Sequence, residues 1–179
     1  MGIRSLGNPV ARYEAVWKRT GLGAVNAPYP GGGTWFGSRG LFSGGYDGSY
    51  RNYISYITIA STGNATDFGD LDVSMTGLAG MSSAAGRGVF AGGWTGSSSN
   101  VMQYITIDTT GNAADFGDLT TATEFGAACT DGERGVFGGG TQSSVTNVIE
   151  YITVASPGNA TDFGDLLESR AYLACSSGT

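Results

Sequence analysis

The chain has 179 residues, of which 32 are glycine and 11% are aromatic, and its net charge is −6 at pH 7. Because it combines many glycines and aromatic residues with only 13% charged residues, the composition favours an all-β protein over a disordered one. The chain has no histidine and only two cysteines, which argues against acid–base catalysis, transition-metal sites and a disulfide framework.

Charge and hydropathy also limit the partners. Residues 1–30 carry four basic residues against one acidic residue, whereas residues 31–179 carry five against fourteen. An acidic body disfavours nucleic-acid binding, which depends on neutralising phosphates. No apolar run is long enough to cross a membrane, and the N-terminus lacks the pattern of a secretory signal. We therefore expect no nucleic-acid or membrane partner, and synthesis in a cytoplasm.

Residues 1–30 match no other part of the chain and are predicted to form an extended N-terminal arm. The segment is rich in proline and glycine, and it places aromatic residues beside basic ones, which suits docking onto another protein. A cap folded over the chain's own domain is the other interpretation. The residues expected to dock are Arg12, Tyr13, Trp17, Lys18 and Arg19.

The remainder, residues 31–179, is predicted to form a repeat domain. The stretches YITIASTGNATDFGDL, YITIDTTGNAADFGDL and YITVASPGNATDFGDL begin at Tyr56, Tyr104 and Tyr151 and are identical at 11 of 16 positions. Each repeat begins upstream, at RGLF or RGVF, which gives units 39–86, 87–133 and 134–179. A period of 47–48 residues is typical of β-propeller blades. Four short strands per period fit a four-stranded antiparallel blade.

The strand around each of these tyrosines has two apolar faces. In the first unit Ile57 and Ile59 lie on one face, and Ile54 and Tyr56 lie on the other. A strand with only one buried face would alternate apolar and polar residues, so this pattern predicts a sheet packed between two neighbouring sheets.

Glycines mark two further features of each unit. The GNA turn is predicted to give its glycine a positive φ and to close a hairpin between the Tyr strand and the DFGDL strand. A glycine doublet is predicted to end a strand where no side chain fits, near the axis of a propeller. The turn glycines are Gly63, Gly111 and Gly158.

The order of glycine doublet, Tyr strand, aromatic residue and small-residue strand resembles a kelch repeat. The Tyr follows the doublet by 11 residues, and an aromatic residue follows the Tyr by 12. That aromatic residue is Phe68, Phe116 or Phe163, where kelch repeats usually have Trp. The resemblance covers residues 39–179 and implies three kelch-like, four-stranded antiparallel blades that are propeller-like.

A second resemblance concerns the biological setting. GNATDFGDL-type repeats and the leader RYEAVWKRTGLGA are similar to those of virion proteins of marine phages, cyanophages especially. This resemblance implies a non-enzymatic structural protein in the virion, as a tail, fibre or capsid-surface component. The arm would then dock onto other virion proteins.

Three blades are too few for closure, because a propeller needs at least about four. We therefore expect a homo-oligomer that closes or completes the fold. Residues 171–179 are predicted to be a strand that starts a further unit, and pairing it with the first unit of another chain would give a six-bladed dimer. Alternatively, GGGTWFGS (31–38) could supply the missing strand within one chain, which would leave an open wedge or a trimer of wedges.

The repeated DFGD motif has two interpretations. Aspartates such as Asp67 and Asp70 could bind calcium, but one loop offers fewer oxygens than a calcium site needs. We expect them instead to bond turn backbone or to pair with the repeated arginines, Arg39, Arg87 and Arg134. We predict no catalytic residue, no metal site and no cofactor. Cys129 and Cys175 could face one another, although we expect small buried thiols.

The variable stretches differ most between units. Tyr46, Tyr50 and Trp94 lie there among small polar residues, a composition that suits stacking on sugars. Binding residues commonly lie on loops held by a rigid scaffold. The alternative function is therefore a carbohydrate-binding adhesin for a host-surface glycan, with an ordinary polar loop as the simpler interpretation.

Overall fold

The computed structural model describes residues 38–83 and 86–177, and every regular element in these ranges is a β-strand. The described residues belong to one compact unit, Phe36–Thr179, and contain three antiparallel sheets of three, four and four strands. The all-β prediction is therefore confirmed. The five predicted docking residues of the arm lie outside the described residues.

Within each sheet the strands follow one another in chain order, and each is antiparallel to the next. Sheet 1 consists of β1 (Arg39–Ser43), β2 (Arg51–Thr58) and β3 (Thr66–Met75). Sheet 2 consists of β4 (Ala79–Ser82), β5 (Arg87–Ala91), β6 (Val101–Thr106) and β7 (Ala114–Asp118). Sheet 3 consists of β8 (Ala127–Thr130), β9 (Arg134–Gly138), β10 (Val148–Thr153) and β11 (Thr161–Asp165). In the described ranges no helix is present that could span a membrane.

The sheets are offset from the sequence periods by one strand. The small-residue strand β4 ends the first period, but it pairs with β5 of the second, with Ala79 opposite Ala91. The strand β8 pairs with β9 in the same way. The corresponding segment 171–177 is not a strand, so the predicted final strand is wrong over these residues. β4 and β8 each pair with the RG strand that follows them, and the described residues contain no such strand after segment 171–177.

The predicted hairpins between the Tyr strands and the DFGD strands are confirmed. In sheet 1 the register passes from Ile54 opposite Gly69 to Ser55 opposite Asp67, so that Phe68 is an extra, bulged residue. The same shift occurs in the other two sheets. A bulge re-aims the extra side chain, and each bulged Phe meets the Tyr of its own sheet edge to face, with ring centroids 6.0 Å apart.

Two hydrophobic clusters fill the spaces between the sheets. Side chains of sheets 1 and 2 share one cluster, and side chains of sheets 2 and 3 share the other. Sheet 2 therefore buries both faces, with Met102 on one and Ile105 on the other, which confirms for this sheet the prediction drawn from its Tyr strand. Sheets 1 and 3 each bury one face against sheet 2 and leave the opposite face without a partner among the described residues.

The first glycine of each doublet leaves no room for a side chain, as predicted. All six glycines have positive φ. A side chain at Gly44, Gly92 or Gly139 would collide with a backbone carbonyl of the chain entering the next sheet or the C-terminal segment. Those carbonyls belong to Met75, Thr123 and Arg170.

Candidate functional site

One contact recurs between neighbouring sheets of the described residues, where a turn of one sheet docks on the last strand of the preceding sheet. The N–H of Gly111 donates to the carbonyl of Phe68 at 2.7 Å, and the N–H of Ala113 donates to the carbonyl of Asp70 at 2.8 Å. Between them, the Oδ1 of Asn112 accepts from the N–H of Asp70 at 3.1 Å. The GNA turn of sheet 2 is thus held by three hydrogen bonds to the FGD segment of sheet 1.

Sheets 2 and 3 repeat this contact. The N–H of Gly158 donates to the carbonyl of Phe116 at 2.6 Å, and the N–H of Ala160 donates to the carbonyl of Asp118 at 2.8 Å. The Oδ1 of Asn159 accepts from the N–H of Asp118 at 3.0 Å. The GNA and FGD residues, identical in all three units, therefore form a standard connector between sheets.

This connector corrects the prediction for the turn glycines. None of Gly63, Gly111 and Gly158 has a positive φ. The turns of sheets 2 and 3 are held by hydrogen bonds to a neighbouring sheet, so a left-handed residue is not what shapes them. Glycine is required on the other side of the contact, because a side chain at Gly69 would overlap the carbonyl of Gly111. A side chain at Gly117 would likewise overlap the carbonyl of Gly158.

The repeated arginines form a second connector. The guanidinium of Arg39 lies over the ring of Tyr56, 4.5 Å from its centroid, and its Nη1 donates to the carbonyl of Ile107 in the next sheet at 2.7 Å. The predicted pairing of these arginines with the DFGD aspartates is wrong, because the Tyr ring and the neighbouring carbonyl hold the guanidinium. Among the described residues the only ion pair joins Arg51 and Asp47.

Arg87 repeats the arrangement with one more bond. Its guanidinium lies 4.4 Å from the ring centroid of Tyr104, and its Nη1 donates to the carbonyls of Val154 at 3.0 Å and Ala155 at 2.7 Å. Arg134 lies 4.6 Å from the ring centroid of Tyr151. The described residues provide no carbonyl acceptor for Arg134, because they contain no sheet after sheet 3.

A third connector was missed by the sequence analysis. The Oε1 of Gln103, a buried residue of β6, accepts from the N–H of Asp72 at 2.7 Å. Glu150 takes the same place in sheet 3, where its Oε1 accepts from the N–H and the hydroxyl of Thr120. The signal was a long polar residue inside an otherwise apolar strand. The equivalent residue in sheet 1 is the shorter Ser55.

The outer faces of sheets 1 and 3 expose residues whose equivalents are buried in the other sheets. On sheet 3, Phe163 is 52% exposed, whereas Phe68 and Phe116 are 2% and 1% exposed. On sheet 1, Ile59 is 67% exposed, whereas its equivalents Ile107 and Val154 are 4% and 0% exposed. Among the described residues, the outer faces of sheets 1 and 3 are therefore unpaired halves of the contact that joins neighbouring sheets.

The three candidate glycan-binding residues lie together. Tyr46 and Tyr50 face one another across a tight turn with ring centroids 5.6 Å apart, and the indole Nε1–H of Trp94 donates to the hydroxyl of Tyr50 at 2.8 Å. Tyr46 is mostly exposed, and Tyr50 and Trp94 are half-buried. In the same turn the side chain of Arg51 donates to Asp47 at 2.8 Å and lowers the pKa of that carboxyl.

One buried carboxyl has no evident structural role. Glu124 lies between sheets 2 and 3, where its backbone bridges to Thr141, and burial raises the pKa of its side chain. Its Oε2 has no hydrogen-bond partner among the described residues. By contrast, the backbone N–H groups of Arg134 and Glu133 donate to Asp131 and lower its pKa.

The two cysteines form a disulfide, so the expectation of buried free thiols is wrong. Cys129 of β8 is half-buried, Cys175 is exposed, and their Cα atoms are 5.7 Å apart. The segment that carries Cys175 is also held by a hydrogen bond from the N–H of Tyr172 to the carbonyl of Phe125, with the two rings stacked 4.6 Å apart. This segment thus packs beside β8 without pairing as a strand.

The acidic side chains and the cavity of the described residues form neither an evident metal site nor an evident ligand site. In the ranges 38–83 and 86–177 no group of three or more His, Cys, Asp or Glu side chains could hold a metal ion. A cavity of about 30 Å³ lies between sheets 2 and 3 and is lined by Leu119, Phe137 and Glu150, among others. This cavity has room for a few water molecules, and its described lining residues give no evident site for an organic ligand.

No model of a known protein family matches the chain, and no curated protein matches its sequence.

Proposed function

We propose that the protein is a non-enzymatic structural component of a phage particle, in a tail, a fibre or the capsid surface. This proposal is supported by the contacts that the repeated residues make. The GNA, FGD and arginine positions of the repeat join one sheet to the next. A chain whose repeated residues join its own sheets to one another is suited to a structural role in an assembly.

The proposed architecture is a kelch-like set of propeller blades. Sheets 2 and 3 each have four antiparallel strands in chain order, and their first strands, β4 and β8, pack against each other. The innermost strands of neighbouring propeller blades approach one another in this way. In this proposal sheet 1 is a third blade, and its fourth strand comes from the residues before β1 or from another chain.

The proposed attachment device is the N-terminal arm, residues 1–30, which would dock onto another virion protein. The test is to express the tagged full chain and a variant lacking residues 1–30 in infected host cells and to purify the particles on a density gradient. We expect the full chain to co-purify with particles and the truncated chain to remain in the soluble fraction.

Two controls make this experiment decisive. The truncated chain should show the same circular dichroism and the same thermal unfolding of its β-domain as the full chain. A capsid protein detected in the same fractions fixes the position of the particles. Absence of the full chain from particles would contradict the virion proposal, whereas incorporation of the truncated chain would contradict only the role of the arm.

A carbohydrate-binding adhesin is the second candidate, and one observation favours it. The aromatic cluster of Tyr46, Tyr50 and Trp94 is formed by turns of two neighbouring sheets and presents an exposed ring beside the hydroxyl of Tyr50. Aromatic rings with polar neighbours suit stacking on a sugar ring. The indole N–H of Trp94 is already bonded to Tyr50, so this proposal assigns sugar contact to ring faces and to Tyr46 above all.

A further inference from the structure

We infer that the outer face of sheet 3 binds the outer face of sheet 1 in a second copy of the chain, head to tail. The contacts would be the same connectors that join sheets within one chain. This inference concerns purified protein and does not depend on the virion proposal, so either one can fail without the other.

The polar half of the contact is present on both faces. In the GNA turn of sheet 1, Gly63, Asn64 and Ala65 are exposed, and the described residues supply no carbonyl acceptor to the N–H of Gly63 or Ala65. Their equivalents in sheets 2 and 3 make three bonds to the preceding FGD segment. On sheet 3, Phe163 and Asp165 offer the matching carbonyls and N–H group.

The outer face of sheet 3 also has room for the turn of a second copy. A side chain at Gly69 or Gly117 would overlap the turn of the next sheet, whereas one at Gly164 would meet nothing within 4 Å. Gly164 nevertheless has the same backbone conformation, with φ of 139° against 144° and 135° at the other two positions. The receiving surface on sheet 3 is thus already shaped and lacks only the incoming turn.

The apolar half is complementary as well. Phe42 on sheet 1 is 61% exposed, although its equivalents Phe90 and Phe137 are buried against the preceding sheet. Together with Ile59 it would cover Phe163 of the second copy, as Ile107 and its neighbours cover Phe68 within the chain. Burying large apolar side chains of this kind is the main driving force for association of protein surfaces.

Arg134 supplies the second connector. Its guanidinium already lies over Tyr151, as those of Arg39 and Arg87 lie over their own tyrosines. Arg87 donates to the carbonyls of Val154 and Ala155. The equivalent carbonyls on sheet 1 are those of Ile59 and Ala60, so Arg134 of one copy would donate to these groups in the other.

The contact between copies would differ from the internal ones at one point. Gln103 and Glu150 accept a backbone N–H from the preceding sheet, but sheet 1 has Ser55 at this position. A serine side chain is too short to repeat the bond to the N–H of Leu167. Ser55→Gln should supply the missing acceptor and tighten self-association about threefold to tenfold, the range expected for one hydrogen bond.

The test is the native mass of the full chain by light scattering on a sizing column, over a range of concentrations. We expect at least twice the chain mass of 18.3 kDa, because a head-to-tail contact closes into a ring or grows without limit. Ile59→Glu and Phe163→Glu should each give monomers. An equimolar mixture of the two variants should give a heterodimer, because each retains the face that the other has lost.

The matched control is Val73→Glu. Val73 is an exposed apolar residue of sheet 1, but its equivalents Thr121 and Glu168 are exposed in the other two sheets as well. A position that stays exposed in the fully packed sheet 2 is not part of a sheet-to-sheet contact, so this variant should associate like the natural chain. Thermal unfolding of each variant shows whether it is folded.

Three outcomes would overturn the inference. A natural chain that is monomeric at every concentration has no such contact. If the full chain were monomeric and the chain lacking residues 1–30 associated, the arm would be what covers one of the two outer faces. A Phe163→Glu variant that still dimerised by itself would show pairing of two identical sheet 1 faces rather than head-to-tail binding.

Discussion

The side-chain oxygen of Asn112 lies 3.1 Å from the backbone nitrogen of Asp70, in the preceding sheet, and accepts its hydrogen bond. Asn112→Ala removes the acceptor and leaves the N–H of Asp70 unpaired. We expect this variant to lose about 1 kcal/mol of unfolding free energy, measured by urea denaturation. Asn159→Ala should behave alike.

Asn64 offers the internal control for this prediction. It occupies the same place in the turn of sheet 1, where the described residues include no preceding sheet. In the Ile59→Glu background, which we expect to be monomeric, Asn64→Ala should leave the unfolding free energy unchanged. Equal losses for all three asparagines would mean that the side chains stabilise their own turns rather than the contact between sheets.

The arginine connector predicts an asymmetry between two equivalent residues. Arg87→Ala removes a ring contact and two hydrogen bonds to carbonyls of sheet 3, and we expect a loss of about 2 kcal/mol in a monomeric background. Arg134→Ala removes only the ring contact at an exposed site, with an expected loss of about 0.5 kcal/mol. Urea denaturation of the two variants side by side tests the difference, and equal losses would contradict it.

The buried Glu124 predicts a pH dependence. Burial raises the pKa of this carboxyl above the ordinary 4.5, so the folded state binds the proton more tightly than the unfolded state. The contribution of Glu124 to stability therefore falls as the pH rises from the ordinary value through the raised one.

A repeat-derived substitution isolates this effect. Thr76 is the equivalent residue one period earlier, and its backbone makes the matching bridge. Glu124→Thr should therefore stabilise the protein at pH 7 by on the order of 1 kcal/mol, the cost of an unpaired buried polar atom. The gain should shrink at pH 4. Urea denaturation at both pH values measures it, and a gain that did not depend on pH would exclude ionisation as the cause.

The disulfide between Cys129 and Cys175 spans 46 residues of sequence. Closing a loop of this length restricts the unfolded chain, which stabilises the folded state by up to about 4 kcal/mol. Cys175→Ser should therefore lower the melting temperature under oxidising conditions. In the presence of a reductant the natural chain and the variant should melt alike. A free-thiol titration that found two reactive cysteines in the folded protein would contradict the pairing.

The aromatic cluster gives the prediction that separates the two proposed functions. If the protein binds a glycan, Tyr46→Ala should lower binding on a glycan array at least tenfold without changing the melting temperature, because the Tyr46 ring is mostly exposed. Tyr53→Ala, another exposed tyrosine, is the matched control and should bind normally. Absence of reproducible glycan binding by the natural chain would remove the adhesin proposal.

Much of the fold could be predicted because it depends on local pattern. The apolar residues on both faces of the Tyr strand indicated a sheet covered on two sides, as sheet 2 is. The glycine doublets indicated backbone positions without room for a side chain, as found at Gly44, Gly92 and Gly139. These features follow from the period of side chains along a strand and from glycine's lack of Cβ.

The partners of the repeated residues could not be predicted, and the repetition itself is the reason. Asn112 occurs in a unit that contains its own FGD segment, so the sequence does not distinguish a bond within the unit from one to the preceding unit. In the structure Asn112 bonds to the FGD segment of the preceding unit. For the same reason the sequence did not indicate the partners of the repeated arginines, which donate to a carbonyl of the following sheet and not to a nearby aspartate.

The disulfide was hidden for a different reason. Cys129 and Cys175 do not occupy equivalent positions of the repeat, since the residue equivalent to Cys129 is Ser176. Comparison of the units therefore left their contact as one possibility and did not favour it over two buried thiols. Their contact depends on how the C-terminal segment lies beside β8, which no strand pattern specified.

The repeated connectors also bear on how such a chain changes its length over generations. Each sheet presents a donor turn on one side and an acceptor strand on the other, so a duplicated period inserts a sheet that already fits both neighbours. Duplication or deletion of one whole period would therefore add or remove one sheet and leave the remaining connectors intact. The number of sheets is therefore a heritable variable that can shift in single steps, while every contact between sheets keeps the same geometry.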